Sequence, residues 1–202
     1  MSFSLEPAVA NDAPRLTEIY FAAFTNVLSQ RITPDTGDVR EFQTAAFKKD
    51  IENAQNGKGM HFTKAVDKDG VIAGFSSWKV YEGLTEDEGT IQWPASSDAE
   101  LCTSFFGGMN TERKKIIGDQ PHYELSMLAV DPAFGRRGLG GMLLKWGLDR
   151  ADEKQVPTFI SSSPEGRGLY EKNGAQALHT YEVIPGYNQS SMVRPAAGLR
   201  RG

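Results

Sequence analysis

The stretch PAFGRRGLGGMLLKWGL, Pro132 to Leu148, sets two arginines and then Gly138, Gly140 and Gly141 before an apolar run with helical spacing. Backbone N–H groups at a helix N-terminus lack partners within the helix and sit at the positive end of its dipole, so they form an anion site. Glycines remove the side chains that would block that site, at a cost in chain entropy that a plain turn does not require. Arg136 and Arg137 add charge beside it, and the anion such a cradle suits is a phosphate or pyrophosphate. Two nucleotide-binding patterns fail on the letters. No Lys-Ser or Lys-Thr follows the last glycine, as a P-loop requires, and Leu143 stands where GxGxxG needs its third glycine.

The elements around the cradle follow from periodicity. HYELSMLAV, His122 to Val130, reads as a strand that stops at Asp131-Pro132; a helix from about Gly140 to Lys154 follows the glycines, and the strand TFISSS ends at Pro164. Strand, loop, helix, strand is a βαβ crossover, so these two strands are parallel neighbours. Upstream, Phe3 to Val9 reads as a strand, Asn11 or Asp12 caps a helix with Pro14 in its first turn, and a second helix covers roughly Asp38 to Ala54. Met60 to Val66 and Val71 to Val80 form a hairpin about DKDG. A short helix near Gly166 to Lys172 and strands near Ala175 to Ile184 and Ser190 to Pro195 complete the pattern.

A chain of 202 residues supports one domain, 1–202, with a well-buried core. No apolar run reaches the ~20 residues of a membrane span, and the first residues lack a signal-peptide pattern, so no membrane contact is expected. Cys102 is the single cysteine, which fits a reducing compartment, cytoplasmic or nuclear. Net charge −4 argues against nucleic acid as a partner. His61, His122 and His179 are dispersed, so no metal is expected. Residues 82–121 exceed what a turn needs. The segment Glu82 to Tyr123 holds eight acidic and three basic residues, leaving about +1 for the rest of the chain. It reads as a solvated acidic loop, a lid over a cationic substrate or a dimer contact, and its second half looks helical.

The pattern V-D-P-x-F-x-R-R-G-L-G after a strand, with LYEKNGA ending at Ala175, resembles the GCN5-related N-acetyltransferase superfamily, and small fungal members in particular. The resemblance is strongest over residues 123–175. Gly135 stands where that family usually has Gln or Arg, and Ser163 where it commonly has Asn. The resemblance implies an α/β (α+β) fold: a mixed, mostly antiparallel twisted sheet of six or seven strands with a parallel, splayed pair in the middle, flanked by about four helices. It implies acetyl-CoA as cosubstrate, its pyrophosphate on Arg136, Arg137, Gly138, Gly140 and Gly141. Its pantetheine arm would lie against the backbone of Leu128 and Val130, with Ser163 beside it.

An acceptor amine brings its own obstacle. With a pKa of ~10.4, a lysine-like amine costs about 4.6 kcal/mol to hold neutral at pH 7, from roughly 1.36 per unit. Glu124 stands where histone-acetylating members of the superfamily carry a glutamate base, so the resemblance makes it the base, with His122 in reserve. Strand alternation puts Glu124 on the face of Ser126 and Leu128 as far as any bulge. Tyr170 stands where the family places a tyrosine next to the coenzyme sulfur, as general acid. The expected acceptor is a small primary amine; alternatives are a peptide or protein amine, or a module that binds acyl-CoA without turnover. Homodimers occur among relatives.

Overall fold

The computed structural model describes residues 2–83, 89 and 91–199, so Glu86, Asp87 and Glu88 of the acidic stretch lie outside the described residues. Seven strands form one sheet in the order β1-β2-β3-β4-β5-β7-β6. They are β1 (Phe3–Pro7), β2 (Met60–Asp67), β3 (Ile72–Tyr81), β4 (His122–Val130), β5 (Thr158–Ser162), β6 (Gln176–Ile184) and β7 (Tyr187–Arg194). All neighbours run antiparallel except β4 and β5, as the crossover requires. Among the described residues six helices flank the sheet: α1 (Ala13–Ala23), α2 (Ser29–Ile32), α3 (Gly37–Gln55), α4 (Ala99–Ile117), α5 (Leu139–Glu153) and α6 (Pro164–Lys172). The long α4 is the helical second half of the 82–121 segment, and the one-turn α2 was not expected. Among the described residues no helix is long and apolar enough to cross a membrane.

The helices divide between the two faces. On one face α1 and α3 bury Leu16, Ile19, Val39, Phe47 and Ile51 against Phe62, Phe75 and Ala129 of the sheet. On the other, α5 and α6 bury Leu144, Leu148 and Tyr170 against Trp78, Tyr123, Leu125 and Ile160. The helix α4 joins α2 on the first face, where Leu28, Ile32 and Cys102 pack on Ile184 and Tyr187. Asp98 starts α4 by accepting the Leu101 N–H at 3.1 Å and pairing with Arg31, so one of the acidic residues is a cap and an anchor.

The βαβ unit is fixed by an indole. Trp78 is fully buried, and Gly147 of α5 lies directly over its ring, so a Cβ at that position would overlap the indole. Glycine costs about 1 kcal/mol relative to alanine inside a helix, but the close approach outweighs propensity here. Gly147→Ala is therefore expected to destabilise the protein by about 1–3 kcal/mol, read as a lower urea midpoint at unchanged slope. A rise in midpoint would show that helix propensity dominates.

Candidate active site

The sheet opens between β4 and β5. The β4–β5 ladder has three pairs, Tyr123 with Thr158, Glu124 with Phe159 and Leu125 with Ile160, and stops there. Beyond it β5 continues only against β7, and β4 only against β3. The strands part at Ser126. On the β3 side the register moves at the same place: Trp78 faces Leu125 and Ser77 faces Met127, leaving Ser126 as an extra, exposed residue. That bulge resets the alternation. His122 and Glu124 share the α1–α3 face with Met127 and Ala129, whereas Leu128 and Val130 turn to the α5 face beside Leu139 and Leu143. The alternation that starts at Glu124 therefore ends at Ser126, and Leu128 lies on the opposite face. The peptide groups from Ser126 to Val130 that do not face β3 face the gap.

The glycine loop closes one end of the gap. Asp131 accepts the Ala133 N–H at 2.9 Å and pairs with Arg15, which also donates to the Ile72 carbonyl at 3.2 Å; together they fix where β4 becomes a 3₁₀ turn over Pro132–Phe134. Gly138 caps α5 at φ +79°, a conformation that favours glycine. The Met142 N–H reaches the Gly138 carbonyl at 3.0 Å, so the amides of Leu139, Gly140 and Gly141 form the first turn and have no partner within the helix. A Cβ at Gly138 or Gly141 would meet nothing within 4 Å, so a side chain there would stand in the open ground before the helix. Gly140 serves packing, since a Cβ there would lie 3.4 Å from Leu169 and 3.8 Å from Leu128. Arg136 and Arg137 are exposed at the loop, with the Arg137 guanidinium 5.4 Å from the Phe134 ring centre. The donor set fits a pyrophosphate.

Ser163 ends the other arm. Its hydroxyl accepts the Gly166 N–H at 3.2 Å and starts α6, so this side chain acts as the helix cap. Tyr170 lies two turns into α6 against Gly166, and burial pushes its hydroxyl up to about 12. It holds its proton across the neutral range. Cys102 is a poor nucleophile, since burial pushes its thiol up to about 11 while it points at the Ile32 carbonyl.

Across the sheet, Glu124 sits in a network the sequence did not disclose. The Tyr81 hydroxyl donates to Glu124 Oε2 at 2.9 Å, and Arg113 Nε stands 3.8 Å from the same oxygen. Arg113 is itself buried, with Nη1 3.1 Å from His122 Nε2, Nη2 donating to Asn110 at 2.7 Å, and its guanidinium 4.0 Å from the Tyr81 ring centre. His122 stacks on Tyr81, and its Nδ1 lies 2.7 Å from the Gln120 carbonyl. A carbonyl only accepts and a guanidinium only donates, so the proton sits on Nδ1. Burial, aided by the Arg113 charge, pushes His122 below the usual imidazole range against the opposing bond to Gln120. Neutral, buried and engaged at both nitrogens, His122 is a poor reserve base. In sequence Arg113 stands in TERKK, a run that reads as a solvated helix face; only the packing of α4 reveals it.

Other parts of the insertion are engaged as well. Glu112 pairs with Lys115 at 2.9 Å and His179 at 2.6 Å, and those contacts hold its carboxyl below the usual range. A cavity of about 400 Å³ opens between α4 and β6, lined by Glu112, His179 and Tyr181 among others, and by none of the expected site residues. No group of three metal-ligating side chains occurs among the described residues.

With this geometry in hand, the comparisons with known proteins converge. The family model described as Acetyltransferase (GNAT) family matches residues 14–175. The chain is 30% identical over 77 residues to an uncharacterized N-acetyltransferase of Schizosaccharomyces pombe, covering 38% of this chain and 32% of that protein. It spans about a third of the length of the curated relatives it matches. In fold it is similar to a phosphinothricin acetyltransferase of Sinorhizobium meliloti in complex with AcCoA, with TM-score 0.61, 16% identity, and coverage of 100% of this chain and 94% of that one. It is equally similar to the ribosomal-protein-S18-alanine N-acetyltransferase of Escherichia coli, with TM-score 0.59, 15% identity, and coverage of 100% and 97%.

If the loop holds a pyrophosphate, replacing both Arg136 and Arg137 with Ala should weaken coenzyme A binding by about tenfold or more in titration calorimetry, since each charge-assisted contact contributes about 1.5–3 kcal/mol. Unchanged affinity would remove these arginines from the site.

Proposed function

The chain belongs to the acetyltransferase (GNAT) family, and we propose that it transfers an acetyl group from acetyl-CoA directly to the primary amine of a small molecule. The observation that carries this reading is the parting of β4 and β5 beyond Leu125, next to the glycine-capped start of α5; in this reading Glu124 and Tyr170 serve it from the two faces of the sheet. Acetyl-CoA supplies an activated acyl thioester. In this reading Leu139, Gly140 and Gly141 offer their amides to its pyrophosphate, with Arg136 and Arg137 alongside, and the parted backbone of Leu128 and Val130 pairs with the pantetheine amides.

Glu124 attracts the acceptor ammonium and takes its proton, directly or through one water. A carboxylate that already accepts from Tyr81 and faces Arg113 is held in place, so its contribution is to orient the amine as well as to take the proton. Tyr170, which keeps its proton up to about pH 12, gives it to the departing thiolate. The small-molecule choice is supported by the acidic surplus of Glu82 to Tyr123, eight acidic against three basic residues, which favours a cationic amine on steering grounds.

Tyr170→Phe and Glu124→Gln are each expected to lower kcat by about 10²-fold while leaving acetyl-CoA affinity unchanged. Thiol release from acetyl-CoA, followed over a panel of amines and peptides, checks both the variants and the acceptor class. Release only with peptides would replace the small-molecule reading by a protein or peptide one. Binding without release on any acceptor would point to a regulatory acyl-CoA module.

A further inference from the structure

We propose that Arg113, supplied by the inserted helix α4, is a positioning residue that fixes both the orientation and the charge of Glu124. This rests on the reading of Glu124 as the group that meets the acceptor amine. Arg113 has 3% of its side chain exposed and Glu124 17%, so the pair is screened little by solvent. A buried guanidinium is tolerated when an anion compensates it and its N–H groups are satisfied. Arg113 has partners of both kinds. His122 and Asn110 accept from the two terminal nitrogens, the Tyr81 ring covers one face, and Glu124 supplies the negative charge.

The arrangement works in one direction. Protonating Glu124 would leave Arg113 charged and uncompensated inside the protein, so the pair favours the carboxylate form of its acidic partner. Tyr81 adds a second constraint, because its hydroxyl donates to the same oxygen that faces Arg113. Oε2 is thereby held on the α4 side, and the carboxylate plane is set before an acceptor arrives. His122 acts as the fork that aims the arginine: its proton is tied to the Gln120 carbonyl, which leaves the Nε2 lone pair for Arg113. Among the described residues, the charged and titratable groups that side-chain contacts and strand register bring to Glu124 include Arg113 from α4, Lys79 and Tyr81 from β3, and His122 from β4; its β5 neighbour, Phe159, carries no charge. Arg113 is the buried cation among them.

Insertion and catalytic core are therefore one unit in this protein. The glycine turn before α5 provides the coenzyme cradle, and α4 provides the clamp on the base.

The test is the pH dependence of kcat/KM for the acceptor in the full-length enzyme, together with a carboxyl NMR titration of Glu124 in the free protein. In Arg113→Met the acid limb should move up by about one pH unit, and the Glu124 carboxyl resonance should titrate correspondingly higher. Arg113→Lys, which keeps the charge and loses the fork, should restore the limb while leaving kcat several-fold low. Tyr81→Phe retains the ring and should move the limb the same way by less, which keeps the proposal open to refutation if the methionine variant fails to fold. A purely structural Arg113 would lower the melting temperature and leave limb and resonance where they were; that result in folded Arg113→Met or in Tyr81→Phe overturns the proposal. A resonance that moves while the limb stays fixed would uphold the coupling and overturn Glu124 as the base.

Discussion

One extra residue in a strand organises this molecule. Ser126 has no partner on β3, and at that same residue β4 leaves β5. A parallel pair that continued to Val130 would have paired its backbone groups and closed the sheet. Because it ends at Leu125, peptide groups of β4 face an opening in the middle of a sheet rather than at its edge. The bulge also exchanges the faces of the residues on either side. Glu124 points toward α4, while Leu128 and Val130 brace the glycine turn from the α5 side. Two chemically different surfaces are thus brought to one gap by strands that pack as rigid parts of the core.

The electrostatics follow that division. At the α5 end the positive character is backbone: a first turn of amides, two arginines, and glycines that keep side chains out of the way. At the α4 end a carboxylate is balanced by a buried arginine, and the histidine between them is held neutral. Tyr170 contributes no charge at all at neutral pH. The site accordingly offers positive potential where a phosphate would lie and a compensated anion where an ammonium would arrive, without a net charge buried in the core.

How much of this the sequence disclosed depends on how local each signal is. The glycine turn, the parallel crossover and the short helix near Gly166 to Lys172 are written in neighbouring residues, and the structure forms them within about two residues of the expected limits, α6 starting at Pro164. The position of the bulge was not legible, because Ser126 differs from its neighbours only through what β3 does opposite it. Arg113 was not legible either. Its burial depends on α4 crossing the sheet beside Glu124, ten residues and more away in sequence, and nothing in TERKK sets that arginine apart from Lys114 and Lys115. His122 was read from its chemistry alone, whereas its role is set by two partners that only the fold supplies. The acidic insertion was read as a surplus of charge, yet Asp98 and Glu112 hold structure together.

The central claim is that the coenzyme enters the gap where β4 and β5 part. Residue-resolved amide hydrogen exchange, measured with and without saturating coenzyme A, tests it most directly. The account predicts slower exchange at Leu139 to Gly141 and within Ser126 to Val130, with little change in β1, β2 or β6. Saturating coenzyme A that leaves both segments unchanged, or protects the α4–β6 cavity instead, would contradict it.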